Sequence, residues 1–325
     1  MRGVPNLNVL VPGAAGPAGI NVIKSLKMAK LQGKIIATNT SYLSAGFFLA
    51  DAYEIMPKIS ESEYFDKLLR VVRKHSVNVL MPSSSFDIFP YSENKEELLR
   101  NGAFPVVSSR KTLEICRDKV RTNEILAGHG ELGNILPFTS TSSNKIQSFP
   151  VAAKSRYEKG GDEFFVINDE ADLRYVESKF DHLIFQELLP GTEYTIDVLC
   201  DFDGVPLVAV PRIRIQLRGG VSSQGRVIHN TEMEDICKRI AKIVGILGPC
   251  CIQMKESPEG APKLVEVNAR MGGGTMFAAL AGVNIPDLIV QMVGGKKVSV
   301  PTFKEITVIR YFEEIIVEEE LLNSE

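Results

Sequence analysis

Tryptophan is absent from this chain of 325 residues, which has only five cysteines and four histidines. The cysteines form no C-x-x-C pair, so neither a zinc cage nor a disulfide framework is indicated. No uninterrupted apolar run approaches the ~18 residues of a membrane span. Pro and Gly interrupt the N-terminal apolar stretch too early for a signal peptide. We therefore expect a cytoplasmic protein with no membrane partner.

The chain also lacks an excess of charge of either sign. It has 37 Lys and Arg against 40 Asp and Glu, which gives a net charge of -3. The basic footprint of a nucleic-acid-binding protein is missing, so the expected partners are small molecules. With 44% hydrophobic and 24% charged residues, the composition is that of a folded globular protein. The length predicts two or three domains with room for a cleft between them.

The first part of the chain alternates apolar, strand-like runs with amphipathic helical segments. The runs are NVLVP, KIIATN, YEIMP and VNVLMPS, beginning at Asn8, Lys34, Tyr53 and Val77, and a helix to about Lys30 follows the first of them. Before the last run, one helical face is formed by Tyr64, Leu68, Leu69 and Val72. Continuous apolar strands separated by helices indicate a parallel sheet covered on both sides, which is a Rossmann-like arrangement.

A different pattern follows from about residue 110. We predict a helix from Arg110 to Leu126 and then an exposed, Ser/Thr-rich connection from Pro137. The later strands are joined by tight turns, which is typical of antiparallel sheets. One helix interrupts them, with apolar side chains at helical spacing: Met233, Ile236, Ile240, Ile243, Val244 and Leu247. The acidic tail from Arg310 is compatible with a closing strand, a helix or a contact surface.

A glycine-rich turn from Gly13 to Gly19 follows a strand and opens a helix, where backbone N–H groups can receive a phosphate. Its spacing differs from that of a dinucleotide fingerprint, and the second strand ends in Thr38 and Asn39 rather than in an acidic residue. We interpret it as a structural turn.

The segment FPVAAKSRYEKGGDEFF places Lys154 at the end of an apolar strand, before a short loop that contains Arg156, Gly160 and Gly161. Ammonium and amide groups on such a loop could cover a triphosphate. An exposed hairpin with solvated charges is the alternative, and this segment alone leaves both open.

The segment LVEVNARMGGG alternates Glu266, Asn268 and Arg270 with apolar residues, so a strand presents the three polar side chains on one face. Carboxylate and amide oxygens suit Mg²⁺, and an arginine can meet phosphate oxygens. Gln253 on the preceding strand can face the same way. The glycines that follow, including Gly272 and Gly273, permit close approach of the backbone to a ligand, which a solvated strand face would not require.

The segment PRIRIQLRGG places Arg212, Arg214 and Arg218 at even spacings, so a strand can direct several guanidinium groups to one side. Bidentate binding of a substrate carboxylate is one interpretation. Charges on an edge strand that discourage aggregation are the other.

Taken together, these residues resemble the ATP-grasp superfamily over nearly the whole chain, and in particular its branch similar to the large subunit of carbamoyl-phosphate synthase. The motifs stand in that family's order: RDKVRTNEIL, the lysine before the Gly loop, QELLPGTEY, the lone glutamine and EVNAR. The resemblance implies a Rossmann-like domain over residues 1–112 and an ATP-grasp domain of two α+β subdomains over residues 113–325. In that domain a lid subdomain would span about 137–190, and the central and C-terminal subdomain about 191–325.

The resemblance also implies roles for single residues. ATP phosphates would be held by Lys119, Lys154, Arg156, Gly160 and Gly161. Adenine and ribose would be contacted by Gln186, Glu187, Leu188, Leu189 and Glu193. Magnesium would be bound by Gln253, Glu266 and Asn268, with Gln253 also near the nucleotide, and Arg270 and Lys154 would be catalytic. From the arginine spacing and the glycine run themselves, we expect substrate to be bound by Arg212, Arg214, Arg218, Gly272 and Gly273. Gln186 and Gln253 replace residues that are often acidic in the family, as in the carbamoyl-phosphate-synthase-like branch.

The implied activity is an ADP-forming ligase that uses ATP and Mg²⁺ to activate a small carboxylate as an acyl phosphate and joins it to an amine or a thiol. Such relatives are often dimers, so a homodimer is a further expectation. A carbamoyl-phosphate-synthase-like enzyme acting on bicarbonate or carbamate is an alternative, although a full synthase has two such units in tandem. A nucleotide-binding module without turnover is another alternative, and a nicotinamide-dependent oxidoreductase would rest on the N-terminal glycines alone.

Overall fold

The structure is a computed structural model that describes residues 6–157 and 163–317. Within these residues the strands form three sheets, which occupy successive stretches of the chain. The first sheet is parallel and the other two are antiparallel. This mixed architecture, with a Rossmann-like part ahead of two α+β parts, confirms the predicted fold class.

The first sheet has five strands in the order β3-β2-β1-β4-β5. Its strands are β1 (Asn8–Pro12), β2 (Ile35–Asn39), β3 (Ala52–Ile55), β4 (Val77–Leu80) and β5 (Phe104–Pro105). The helices between them are α1 (Pro17–Met28), α2 (Ala45–Leu49), α3 (Tyr64–Lys74), α4 (Ser85–Glu93) and α5 (Lys95–Arg100). The four apolar runs form β1 to β4, as predicted. The predicted apolar face of α3 is buried.

The predicted single helix over residues 110–126 is in fact two helices, α6 (Arg110–Arg117) and α7 (Lys119–Ala127). Asp118 between them is extended (φ -101°, ψ 104°), and its side chain accepts hydrogen bonds from the backbone N–H groups of Val120 and Arg121. Because an aspartate side chain can satisfy the open N–H groups of a helix start, Asp118 ends one helix and begins the next.

The second sheet is small and has the order β6-β9-β7-β8. Its strands are β6 (Thr139–Ser140), β7 (Val151–Ser155), β8 (Phe164–Ile167) and β9 (Leu183–Glu187). Short 3-10 turns over Gly130–Ile135 and Ser143–Lys145 precede β7. Helix α8 (Glu170–Lys179) covers the sheet and was not predicted from the sequence; it buries only Leu173 and Val176, so its periodicity is weak.

The third sheet has six strands in the order β14-β13-β10-β11-β12-β15. Its strands are β10 (Glu193–Cys200), β11 (Pro206–Arg218), β12 (Val221–Val227), β13 (Pro249–Glu256), β14 (Pro262–Asn268) and β15 (Ile306–Ile309). Its helices are α9 (Thr231–Val244), α10 (Thr275–Ala281) and α11 (Ile285–Val293). Leu247 lies beyond α9, contrary to prediction, because Gly245 ends that helix in the left-handed conformation (φ 80°).

The C-terminal part of the chain supplies the closing strand β15, which pairs with β12. Residues 310–317 form neither helix nor strand, and the acidic run from residue 318 lies outside the described residues. Among the described residues, no single helix is long and apolar enough to cross a membrane. Helices α10 and α11 reach that length and apolarity only as a pair bent by 88°.

The first and third sheets share their apolar cores. One core cluster joins Leu10 of β1 to Ile196 and Val198 of β10, and a second joins Val9 to Phe277 of α10. The second sheet has a separate, smaller cluster that includes Val151 and Phe185. The five cysteines are buried and form no disulfide bond within the described residues, and burial raises the pKa of Cys251 to about 12, as expected of packed thiols. The boundary near residue 112 stays a prediction.

Candidate active site

Neighbouring strands β13 and β14 bring the predicted magnesium ligands together. Gln253 lies opposite Glu266 in the ladder. Glu266 Oε1 accepts a hydrogen bond from Asn268 Nδ2 at 2.8 Å, and Asn268 Oδ1 accepts one from Arg270 Nη2 at 3.1 Å. The three polar side chains of the EVNAR motif therefore form a connected row. Strand alternation accounts for Glu266 and Asn268 as predicted, whereas Arg270 lies beyond β14, which ends at Asn268.

Arg270 extends this row to the first sheet. Its Nε donates to Ser85 Oγ at 3.0 Å, and its Nη1 donates to the carbonyl of Met271 at 3.1 Å. Ser85 is the first residue of α4, just after β4. Strand order reverses between β1 and β4, and in open α/β sheets ligands bind at the carboxyl ends of the strands beside such a point. The sequence interpretation missed Ser85, although a run of three serines after a predicted strand was a usable signal.

Lys154 brings a cation from the second sheet to the same place. The side chain is 8% exposed, and its Nζ donates to the carbonyl of Val265 on β14 at 3.4 Å. Burial lowers the pKa of Lys154 to about 8; Lys119 lowers it further, whereas Glu266 opposes the shift. Lys119, at the start of α7, donates through Nζ to the carbonyl of Ser155 at 3.2 Å. The two predicted phosphate-binding lysines therefore lie close to each other and to Glu266.

Arg156 does not extend this cationic cluster. Its Nη2 lies 2.6 Å from Asp118 Oδ2, and its Nε lies 2.9 Å and 3.0 Å from the two carboxylate oxygens of the same residue. The guanidinium therefore fastens the second sheet to the start of α7, and the predicted phosphate contact finds no support in this geometry. Gly160 and Gly161, predicted on the same loop, lie outside the described residues.

The predicted adenine segment is continuous and held at the edge of the second sheet. Gln186 is buried, and its Nε2 donates to Thr139 Oγ1 at 2.9 Å. The backbone N–H of Glu187 donates to the carbonyl of Phe138 at 3.1 Å. Leu188 is half-buried and Leu189 is buried. The glutamine thus has a structural partner, and Glu187 to Leu189 lead directly into the turn before β10.

Arg214 links the predicted ribose residue to the predicted metal side of the site. Its Nη1 forms an ion pair with Glu193 and lies 3.5 Å from Gln253 Oε1, and its Nη2 donates to the carbonyl of Gly220 at 2.5 Å. Only 8% of the Arg214 side chain is exposed, and its buried Nε has no hydrogen-bond partner among the described residues. The sequence interpretation did not foresee this contact with Glu193.

Arg212 and Arg218 do not act with Arg214 as one clamp. Arg212 is buried with Asp197, whose Oδ2 lies 3.2 Å from its Nε. Because Asp197 already supplies a carboxylate, the predicted substrate role of Arg212 does not follow from the geometry. Irregular pairing between residues 214 and 217 breaks the even alternation before Arg218, which is exposed at the end of β11.

The glycine loop after β14 packs closely against its surroundings. A β-carbon at Gly274 would lie 2.3 Å from the Arg212 guanidinium, and one at Gly272 would lie 3.0 Å from Cys251 Sγ. The carbonyl of Gly273 accepts hydrogen bonds from Asn21 Nδ2 and Arg310 Nη2, both at 2.6 Å. Tight packing therefore accounts for part of the glycine run.

Arg310 is a cation at this loop that the sequence interpretation missed. Its guanidinium lies 4.8 Å from the ring centroid of Phe277, and that of Arg212 lies 5.6 Å from the same centroid. Burial, and then the charge of Arg212, lower the pKa of Arg310 to about 10. Two guanidinium groups thus share one aromatic ring, and the charge of Asp197 acts on the pKa of Arg310 in the opposite direction to that of Arg212.

Two family models match separate parts of the chain. Residues 179–315 match a family described as ATP-grasp in the biosynthetic pathway with Ter operon, and residues 14–106 match the PylC-like N-terminal domain. These matches confirm the predicted resemblance to ATP-grasp ligases. With the relatives described below, they also confirm the expected enzyme class, an ADP-forming ligase, and the expected cofactors, ATP and Mg²⁺.

Known relatives agree with this assignment. The chain is 24% identical to a carbamoyl-phosphate synthase of Methanobrevibacter smithii, over 80% of this chain and 74% of that protein. It is 22% identical to the carbamoyl phosphate synthase large chain of Clostridium botulinum, over 87% of this chain but only 28% of that protein. The chain therefore spans about a quarter of the length of the large chain.

Solved structures show the same fold at low identity. The biotin carboxylase domain of Hydrogenobacter thermophilus 2-oxoglutarate carboxylase, a domain dimer with MgADP, ADP and bicarbonate, matches with a TM-score of 0.71 and 16% identity. That match covers 90% of this chain and 70% of the other. The N5-carboxyaminoimidazole synthetase of Staphylococcus aureus, complexed with ADP, matches with a TM-score of 0.68 and 13% identity, over 93% and 81% of the two chains.

Proposed function

We propose that this ATP-grasp ligase activates a small-molecule carboxylate as an acyl phosphate and joins it to an amine or a thiol, releasing ADP and phosphate. The observation that carries the proposal is the meeting of Lys154, Glu266 and Arg270, to which all three sheets contribute. Lys154 comes from the second sheet, Glu266 from the third, and Arg270 reaches Ser85 next to the first. A phosphoryl group at their meeting point would contact cations and a metal-binding carboxylate together.

The donor set of the EVNAR row fits magnesium. Among the described residues, no group of three or more His, Cys, Asp or Glu side chains could hold a metal ion. Glu266 supplies one carboxylate, and Asn268 and Gln253 can supply amide oxygens. Mg²⁺ is commonly held by one or two carboxylates together with substrate phosphates and waters. One carboxylate and two amide oxygens are therefore enough protein ligands. Bound there, the ion would neutralise charge on the phosphates of ATP.

The chemistry divides into two steps. First, a substrate carboxylate oxygen attacks the γ-phosphorus, and the bond to the bridging oxygen breaks so that ADP leaves. Lys154 and Arg270 stabilise the charge on the phosphoryl group during this transfer. Second, the nucleophile attacks the carbonyl carbon of the acyl phosphate, loses a proton and expels phosphate. The second sheet, which carries Lys154 on β7, covers the phosphates and limits access of water to the mixed anhydride.

The carboxylate substrate binds beside the Gly272 to Gly274 loop in this proposal. Arg310 is the preferred clamp, because it already donates to the carbonyl of Gly273 and sits in a site with more positive than negative charge. Arg214 is the second candidate, because its buried Nε lacks a partner among the described residues. A guanidinium group matches the two oxygens of a carboxylate.

A substrate-panel assay tests the proposal. The purified protein is incubated with Mg-ATP and pairs of carboxylic acids and amines or thiols, and ADP and phosphate are measured. We expect release that depends on one acid and one nucleophile, and loss of that release in Glu266→Ala and Lys154→Ala. A protein that neither binds ADP nor is stabilised by it against heat would contradict the nucleotide part of the proposal.

Bicarbonate is the second candidate substrate. The relatives named carbamoyl-phosphate synthase and the structure solved with bicarbonate favour it. ADP release that depends on bicarbonate, without any amine, would support this candidate over the first. A nucleotide-binding module without turnover is the outcome if ADP binds but no substrate pair releases phosphate.

A homodimer in the cytoplasm belongs to the same proposal. The Hydrogenobacter thermophilus structure is a domain dimer, and this supports a dimer of the present chain. Light scattering coupled to gel filtration measures the mass directly, and a value for one copy of 35.8 kDa would contradict the dimer.

A further inference from the structure

The carboxylate of Glu256, at the end of β13, holds the turn that precedes the predicted ribose residue. Its Oε1 accepts a hydrogen bond from Tyr194 Oη at 2.6 Å, and its Oε2 accepts one from the backbone N–H of Thr192 at 3.0 Å. These two donors flank Glu193 in the sequence. One carboxylate therefore accepts hydrogen bonds from the residues on both sides of Glu193, which is expected to bind ribose.

The backbone of Glu256 strengthens this attachment. Its N–H donates to the carbonyl of Thr192 at 3.0 Å, and its carbonyl accepts from the N–H of Gly191 at 3.1 Å. A β-carbon at Gly191 would lie 2.6 Å from the β-carbon of Glu256, so any larger residue there would displace the side chain. The glycine of the G-x-E motif is thus explained by the space that Glu256 occupies.

The chemistry of these contacts favours the ionised form of Glu256. The hydrogen bond from Tyr194 lowers the pKa of the carboxyl group, and the Thr192 N–H lowers it as well. Desolvation, and then the neighbouring carboxylate, raise the pKa of Tyr194 to about 12, so this hydroxyl remains a donor at neutral pH. Hydrogen bonds to a charged acceptor are stronger than neutral ones.

We propose that Glu256 is the positioning residue for ribose recognition: it fixes the turn from Gly191 to Tyr194 so that the Glu193 carboxylate faces the nucleotide. The proposal rests on the proposed function, because it takes Glu193 as the ribose contact. It adds a residue that touches no nucleotide itself and acts only through the backbone and side chain that it holds.

The side chain of Glu193 also has a partner on the other side of β10. It forms an ion pair with Arg214 on β11. A carboxylate has room for about four hydrogen bonds, so it can accept from the guanidinium and from ribose hydroxyls together. On the opposite side, at β13, the backbone of Glu193 is held by its ladder partner Lys255 and by the contacts of Glu256 to Thr192 and Tyr194.

The experiment compares ADP with 2′,3′-dideoxy-ADP, which lacks both ribose hydroxyls. Binding of each nucleotide with Mg²⁺ is measured by calorimetry, so no knowledge of the other substrates is needed. The test variant is Glu256→Gln, which keeps the size of the side chain. Its NH2 group replaces one of the two acceptor oxygens, so the hydrogen bond from either the Thr192 N–H or the Tyr194 hydroxyl is lost. The matched control is Glu259→Gln, an exposed carboxylate on the same hairpin that is bonded to Ser257 instead.

We expect the unaltered protein and Glu259→Gln to prefer ADP by roughly tenfold, as one hydrogen bond to a charged group would give. Glu256→Gln should reduce this preference to about twofold, with its affinity for the dideoxy nucleotide nearly unchanged. A general loss of structure would instead weaken both nucleotides equally, so the ratio separates positioning from folding.

Tyr194→Phe provides a second variant in case Glu256→Gln does not fold. It removes only the hydroxyl, and the remaining contacts predict a preference between those of the unaltered protein and Glu256→Gln. An unchanged ADP preference in both folded variants would overturn the inference. If the unaltered protein binds both nucleotides equally, Glu193 is not the ribose contact and the inference fails with that assignment. If neither nucleotide binds, the proposed function itself fails.

Discussion

Arg270 Nε lies 3.0 Å from Ser85 Oγ. This hydrogen bond connects the segment after β14 to the start of α4. The arginine expected beside the transferred phosphoryl group is therefore oriented by a residue of the Rossmann-like part. The proposed catalytic side of the cleft therefore combines two parts of the chain that are 185 positions apart.

A first prediction concerns this contact. Arg270→Ala should lower kcat by about 10²- to 10³-fold, because it removes a donor to the phosphoryl group in the transition state. Ser85→Ala should lower kcat by up to about tenfold, because it removes one hydrogen bond that orients the arginine. Steady-state ADP release measures both effects. Ser92→Ala, on the same helix but bonded to the carbonyl of Ser108, is the control and should retain full activity. Equal rates for Ser85→Ala and the unaltered protein would remove Ser85 from the site.

A second prediction concerns pH and Lys154. Because its pKa is lowered to about 8 in the free protein, the ammonium group loses its proton as pH rises above that value. Bound phosphates would raise the pKa again, so ADP affinity should fall above pH 8 by up to about tenfold per pH unit. Calorimetric titrations at several pH values measure this slope.

Lys154→Met should bind ADP more weakly and lose that slope. Lys263→Met should retain it, because this half-buried lysine on β14 donates to the carbonyl of Asn134 instead. The stability effect has a definite sign. Between pH 8 and the ordinary value of 10.5 the unfolded chain binds more protons than the folded one, so unfolding free energy from this group rises with pH. A pH-independent affinity in the unaltered protein would contradict the assignment of Lys154 to the phosphates.

A third prediction concerns the metal. Glu266→Gln removes the carboxylate of the row and should raise the Mg²⁺ concentration needed for half-maximal ADP release by roughly tenfold or more. Gln253→Glu adds a second carboxylate opposite Glu266 and should lower that concentration. Mg²⁺ titrations at saturating ATP provide the measurement. Glu232→Gln, on the exposed first turn of α9, serves as the control. The metal assignment is contradicted if Glu266→Gln shows an unaltered Mg²⁺ requirement.

A fourth prediction separates the two substrates. Arg310→Gln should raise KM for the carboxylate substrate by about 10- to 100-fold while leaving the affinity for ADP within about twofold, because the loss is confined to a hydrogen-bonded charge pair. Arg226→Gln, an exposed arginine on β12 that pairs with Glu305, should change neither value. A variant of Arg310 that loses ADP affinity instead would place this residue on the nucleotide side.

Much of the fold follows from local patterns in the sequence. Continuous apolar runs predict β1 to β4, since strands buried on both faces need no alternation. The alternation around Glu266 predicts the polar row, since a strand has a period of two. Asp118 could not be interpreted in this way, because the helical spacing continues through it and only its capping side chain ends the helix.

The parts of the site that escaped prediction depend on contacts between distant residues. Arg156 pairs with Asp118, and Arg310 reaches Gly273 from the far end of the chain. Neither contact leaves a periodic signal in the sequence. Even spacing placed Arg212 with Arg214, but it could not reveal that Asp197 on the neighbouring strand neutralises the first of them.

The second sheet packs around a core of its own, whereas the first and third sheets share theirs. A unit built in this way can exchange its amide hydrogens without unfolding the rest of the protein. Lys154 belongs to that unit, whereas Glu266 and Arg270 belong to the larger body. The lysine therefore reaches the EVNAR row only where the two units touch, so local unfolding of the smaller unit alone would take the proposed phosphate site apart.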